Sequence, residues 1–109
     1  MHEPSSEALT HAAVYAQDAA LRAVVHGHTP ELWRHARALG LPVTDEAVPY
    51  GSPEMAREVD RLFRETDVRR HRLFAMGGHE DGVVAFGRSL DEAGSALLTH
   101  LARALAVAF

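Results

Sequence analysis

The chain has 109 residues, 47% of them apolar and 24% charged, with a formal net charge of -4 and no cysteine. That length suits one domain, 1–109, with a modest core, and the apolar share is too high for a disordered chain. The missing thiols exclude disulfides, thiolate metal sites and cysteine nucleophiles, and the acidic balance argues against nucleic acid as the main partner.

The first seven residues, Met1-His2-Glu3-Pro4-Ser5-Ser6-Glu7, lack the basic start and apolar run of a signal peptide. No apolar stretch reaches the length of a membrane span, so the expected compartment is the cytoplasm and no membrane partner is expected. Residues 7–17 place Ala8, Leu9, Ala12, Ala13 and Ala16 at helical spacing, with Ser5 or Ser6 positioned to cap the first turn. Residues 21–28 have the length and β-branched content of a buried strand ending in His26-Gly27-His28. Thr29-Pro30 then starts a helix predicted to run to about residue 39 and to stop at Gly40.

Residues 41–51 contain Pro42 and Pro49 and hold no period, so they read as a loop or a short edge strand. Ser52-Pro53 repeats the cap-plus-proline signal, and the helix over 53–65 puts Met55, Val59, Leu62 and Phe63 on one face. Two strands are predicted at 72–76 and 82–86, joined through Gly77-Gly78-His79-Glu80-Asp81. Ser89-Leu90-Asp91-Glu92 is a capping box opening a last helix whose stripe is Leu90, Ala93, Leu97, Leu101 and Leu105. Helices alternating with strands imply an α/β domain, a sheet with helices packed on it.

Histidine is the unusual residue, 8 in 109. Side chains on a strand alternate faces, so His26 and His28 point the same way about 6.5–7 Å apart at the backbone, a separation that suits two ligands on one ion. Gly27 between them adds no side chain and allows close approach of the backbone. The plainer reading is a pair of strand-end histidines bonded to carbonyls, and the spacing alone does not separate the two. A third ligand is available at His79, in a glycine-flanked cluster where an ordinary polar turn would explain the glycines and the acids better than the histidine. Three protein ligands leave a zinc ion an open position, the arrangement of a catalytic site.

At the first helix, Glu7 fits an ordinary first-turn acid and Ser5 and Ser6 fit ordinary caps, although a helix N-terminus with small hydroxyls also receives anions. His2, His11, His35, His71 and His100 read as surface or packing residues, and Trp33 as a packing anchor.

Pro4-Ser5-Ser6-Glu7, His26-Gly27-His28, Tyr50-Gly51-Ser52-Pro53-Glu54 and Gly78-His79-Glu80-Asp81-Gly82 occur in an order that resembles the class II aldolase/adducin family. The resemblance implies a three-layer α/β/α fold with a largely antiparallel sheet, of which this chain would be the C-terminal half, the N-terminal part of the fold being missing. It implies a zinc-dependent, or other divalent-metal-dependent, lyase acting on a sugar, expected to be phosphorylated, through an enediolate, with epimerases and a dehydratase as sister activities. It places phosphate-contacting hydroxyls on Ser5 and Ser6, the acid/base glutamate on Glu7, and metal ligands on His26, His28 and His79. In the family the third histidine directly precedes a glycine, whereas Glu80 and Asp81 stand between His79 and Gly82 here, which makes Asp81 the fallback ligand. A homo-oligomer is implied as well. The rival expectation is a non-catalytic half-domain that keeps the metal or an interaction surface.

Overall fold

The computed structural model describes residues 6–108, and the side chains of 8–107. In chain order its elements are α1 (Ser6–Tyr15), β1 (Ala23–His28), α2 (Pro30–His35), α3 (Pro53–Glu65), α4 (Val68–His71), β2 (Leu73–Ala75), β3 (Gly82–Gly87) and α5 (Leu90–Ala108). The three strands form one antiparallel sheet in the order β1-β3-β2. Register pairs His26 with Val84 and His28 with Gly82 on one side of β3, and Phe74 with Val84 and Ala75 with Val83 on the other.

Every residue of β3 is buried, as its continuous apolar run demands when helices cover both faces of a sheet. Because side chains alternate, Val84 and Phe86 join Phe74 and Met76 against Val14 of α1 and Met55, Val59, Leu62 and Phe63 of α3. On the opposite face Val83 and Ala85 join Leu73 and Ala75 against Leu32 of α2 and Ala104 of α5. Fully burying a ring or branched chain of this size contributes about 1.5–3 kcal/mol. These two clusters hold the sheet rigid beneath the ends of β1 and β3. The α/β class is therefore as the pattern predicted, and the antiparallel sheet is as the resemblance implied.

Several boundaries moved. β1 starts at Ala23 rather than 21, although the Arg22 amide still donates to the Gly87 carbonyl at 2.9 Å. α2 ends at His35, and the chain turns through Gly40, whose φ of 75° is one that glycine adopts without strain. The loop after it lies beside β2: Val43 makes a parallel bridge to Ala75, and the Thr44 amide donates to the Ala75 carbonyl at 2.9 Å. The Asp45 amide donates to the Glu58 carboxylate at 2.6 Å, which anchors the loop to α3.

α4 was not predicted. Its four residues include Arg69, Arg70 and His71 and show no apolar period; only Val68 is buried. In α5 the expected stripe is partly wrong, since Leu90 is 68% and Leu105 38% exposed, while Ala93, His100 and Ala104 are buried with Leu97 and Leu101 packed beside them. His100 takes a core position because both ring nitrogens find partners: Nε2 lies 2.9 Å from the His71 carbonyl and Nδ1 accepts from Arg103 at 2.9 Å. Ser89 does cap α5, its Oγ accepting from the Glu92 amide at 3.0 Å.

Candidate metal centre

His26 and His28 close β1, an edge strand, and the Thr29 amide donates to the Asp81 carbonyl at 2.9 Å, which ties the end of β1 to the β2–β3 turn. That turn is built by its own backbone: His79 donates to Met76 at 3.1 Å, Gly82 to His79 at 2.9 Å, and Met76 to Gly82 at 2.9 Å. Asp81 completes it with a φ of 64°, in the left-handed region that Asp tolerates better than most residues. The turn folds the His79 ring back over Gly82, where an added Cβ would collide with that ring and with the end of Met76. Glycine at 82 is thus what admits the imidazole.

The three rings converge. Centroid separations are 4.9 Å for His26–His28, 5.5 Å for His26–His79 and 5.2 Å for His28–His79. One ligand atom from each lies within 4.8 Å of the others, close enough for one ion. Nε2 of His79 is buried with no hydrogen-bond partner among the described residues, a polar atom that a cation would satisfy. Burial, with His28 close by, pushes the His79 imidazole below its usual value, while Asp81 opposes the shift. The ring is therefore neutral at pH 7, the state that can donate a lone pair to a metal. Three imidazoles and no thiolate suit zinc and other divalent first-row ions.

Tyr50, which the sequence marks only as part of the Tyr50-Gly51-Ser52-Pro53-Glu54 motif, joins the site. Its ring stacks on His79 at 4.5 Å with an interplanar angle of 24°, and its hydroxyl lies 3.2 Å from Nδ1 of His26. Its one sequence signal is an aromatic between Pro49 and Gly51 in a segment with no period. The loop reaches the site because Gly77 and Gly78 lie directly under it, where a Cβ would run into the carbonyls of Thr44 and Val48. Gly77 also donates to Thr44 Oγ1 at 3.1 Å. Trp33 braces the turn from α2, its indole N–H donating to the Met76 carbonyl at 2.8 Å, so the packing anchor is also a tether.

Gly27 differs from expectation. A Cβ there would meet Leu97 and Val83 at an ordinary 3.8 Å, so nothing requires close backbone approach at this position. Asp81 is not one of the three gathered ligands. Ser5 and the side chains of Ser6 and Glu7 lie outside the described residues.

A three-histidine cluster at the end of a small antiparallel sheet, with helices packed on it, defines an α/β domain whose imidazoles lie close enough together to hold one metal ion. The chain matches the model of the class II aldolase and adducin N-terminal domain over residues 1–108, and it belongs to that family. No curated protein matches it significantly.

Proposed function

We propose that this chain is a divalent-metal-dependent, aldolase-like lyase that acts on a phosphorylated sugar, with zinc as the favoured ion. The observation that carries the reading is the convergence of His26, His28 and His79. When bound, the ion supplies a Lewis acid for the carbonyl and neighbouring hydroxyl oxygens of the substrate. His26 and His28 are held by the β1–β3 ladder, and His79 by its turn, so the ligand set is largely preformed. With Nε2 of His26 as the ligand atom, Nδ1 keeps its proton and donates it to the Tyr50 hydroxyl, which fixes tautomer and ring orientation.

Ser5, Ser6 and Glu7 enter on the family motif. The two hydroxyls receive the phosphate, and the Glu7 carboxylate holds the proton that the carbon beside the carbonyl gains on cleavage. The helix-covered faces of the sheet support the family's α/β/α layering, of which this chain supplies a part, in a cytoplasmic homo-oligomer. The family match spans Ser5, Ser6 and Glu7, which is what supports their assignment.

Metal content tests the reading: the purified protein should carry a divalent ion that the His26→Ala, His28→Ala double variant has lost, and equal content in both removes the metal centre. Phosphorylated ketoses should then release aldehyde, and Glu7→Gln should keep the ion and lose turnover. A metal-loaded chain that cleaves none of them would instead be a non-catalytic module of the same fold.

A further inference from the structure

A cavity lies at the other end of the sheet, where Ala23 pairs with Gly87, about 10 Å from His26 and about 16 Å from His28 along β1 at about 3.3 Å per strand residue. Its volume is about 280 Å³, just below the usual range of ligand sites and enough for a small molecule only. Leu21, Phe63 and Phe86 make an apolar floor, the two rings 5.1 Å apart, and Arg69, Arg72 and Arg88 stand around it. On a chain of net charge -4 this is a local excess of cations.

The two lining acids do not cancel that excess. Asp18 pairs with Arg69 at 3.2 Å, and Arg69 lies over the Phe63 ring at 5.0 Å, so this arginine is spent on structure. Glu92 takes Nε of Arg72 at 3.1 Å and the backbone amide of Arg88 at 3.1 Å. That leaves the outer N–H edge of Arg72 and the whole Arg88 guanidinium, which forms no ion pair with any described residue, for something not yet bound.

A separate observation concerns the backbone. Arg72 ends α4 with φ 56° and ψ 29°, the left-handed position that glycine fills best at a helix C-terminus. Its carbonyl accepts from Phe86 at 3.0 Å, a bond that any residue would supply. An arginine kept where a glycine would be unstrained points to a use for its side chain.

We propose that this cavity binds a small organic oxyanion, its phosphate or carboxylate on Arg72 and Arg88 and its apolar body against the floor that Leu21, Phe63 and Phe86 form. Planar guanidinium groups match such an anion with paired N–H donors. The site is independent of the metal centre and of the reaction read there.

Titration calorimetry with phenyl phosphate, inorganic phosphate and benzyl alcohol, on chelator-treated protein, tests it. Phenyl phosphate should saturate one site and bind more tightly than either of the others. Arg88→Ala and Arg72→Gly should each weaken it by about tenfold or more, the scale of losing a charged hydrogen-bond partner. Arg57→Ala, an equal loss of charge on α3, and His79→Ala should leave it unchanged. Arg72→Gly should not lower the melting temperature, since it relieves the left-handed strain. Affinity unaltered in both cavity variants, binding lost in His79→Ala, inorganic phosphate binding as well as phenyl phosphate, or no saturable binding overturns the proposal.

Discussion

Tyr50 stacks on His79 and reaches Nδ1 of His26 with its hydroxyl, so one side chain from a loop orients two of the three gathered imidazoles. The stack resists rotation of His79, and in the proposed centre the hydroxyl holds Nδ1 of His26 and leaves Nε2 for the ion.

Tyr50→Phe keeps the stack and removes the hydroxyl, and should weaken metal binding by roughly 10- to 100-fold, the usual effect of an outer-shell partner. Tyr50→Leu removes both contacts and should weaken it further. Competition against a chromophoric chelator measures both; affinities equal to wild type would mean that the loop merely lies beside the site.

The glycines around the centre should respond differently to the same added methyl. Gly82→Ala drives a Cβ into the His79 ring, which swings away, so the variant should fold with its metal affinity lost. Gly78→Ala meets the Val48 and Glu46 carbonyls, which are backbone and cannot yield cheaply, so it should cost about 1–3 kcal/mol of stability, as overpacking does. Gly27→Ala makes ordinary contacts and should leave both properties intact. Thermal melts and chelator competition on the three variants check this order.

Trp33 is the single tryptophan, and its bond to the Met76 carbonyl makes its fluorescence a reporter of the β2–β3 turn. Trp33→Phe should cost about 0.5–1.5 kcal/mol, the net worth of such a bond, in addition to any packing loss. In the wild type, adding and removing a divalent ion should shift the emission, because His79 hangs from the same carbonyl. A spectrum indifferent to metal would separate α2 from the centre.

Acid should destabilise the fold in two windows. Burial pushes His79 and His100 below the ordinary histidine value of 6.5, helped by His28 for the first and, against the bond to the His71 carbonyl, by Arg103 for the second. The unfolded chain therefore takes protons that the folded chain refuses, and the stability these groups contribute is full above 6.5 and is lost as pH falls. Glu58 adds a lower window: its hydrogen bond with Arg61, against the effect of burial, holds the carboxyl below 4.5, so its contribution is present above 4.5 and is lost on further acidification. Urea denaturation between about pH 7.5 and 5.5 should show the first decline, and His100→Gln should flatten it. An unchanged slope in that variant would place the titration elsewhere.

Much of the scaffold could be read locally. α3 falls at Pro53–Glu65 as predicted because its proline start and four-residue apolar spacing act within a few turns. The placement of His26 and His28 on one face follows from strand alternation alone, and the absence of cysteine already confined any metal to nitrogen and oxygen ligands. α4 escaped because four residues, most of them basic, hold no period, and the stripe of α5 was misjudged because periodicity does not say which face a neighbour covers.

What the sequence determined by itself was therefore the class, the main elements and the histidine pair, each set by forces between near neighbours in the chain. Only the tertiary structure gathered His79 rather than Asp81 with that pair, laid Tyr50 across two imidazoles and collected arginines around a cavity at the other end of the sheet. Those relationships join residues from separate elements, such as Tyr50 and His26, 24 positions apart, or depend on one hairpin's turn geometry. They arise only once β3 has paired with both neighbours and the glycines have let loop and turn meet.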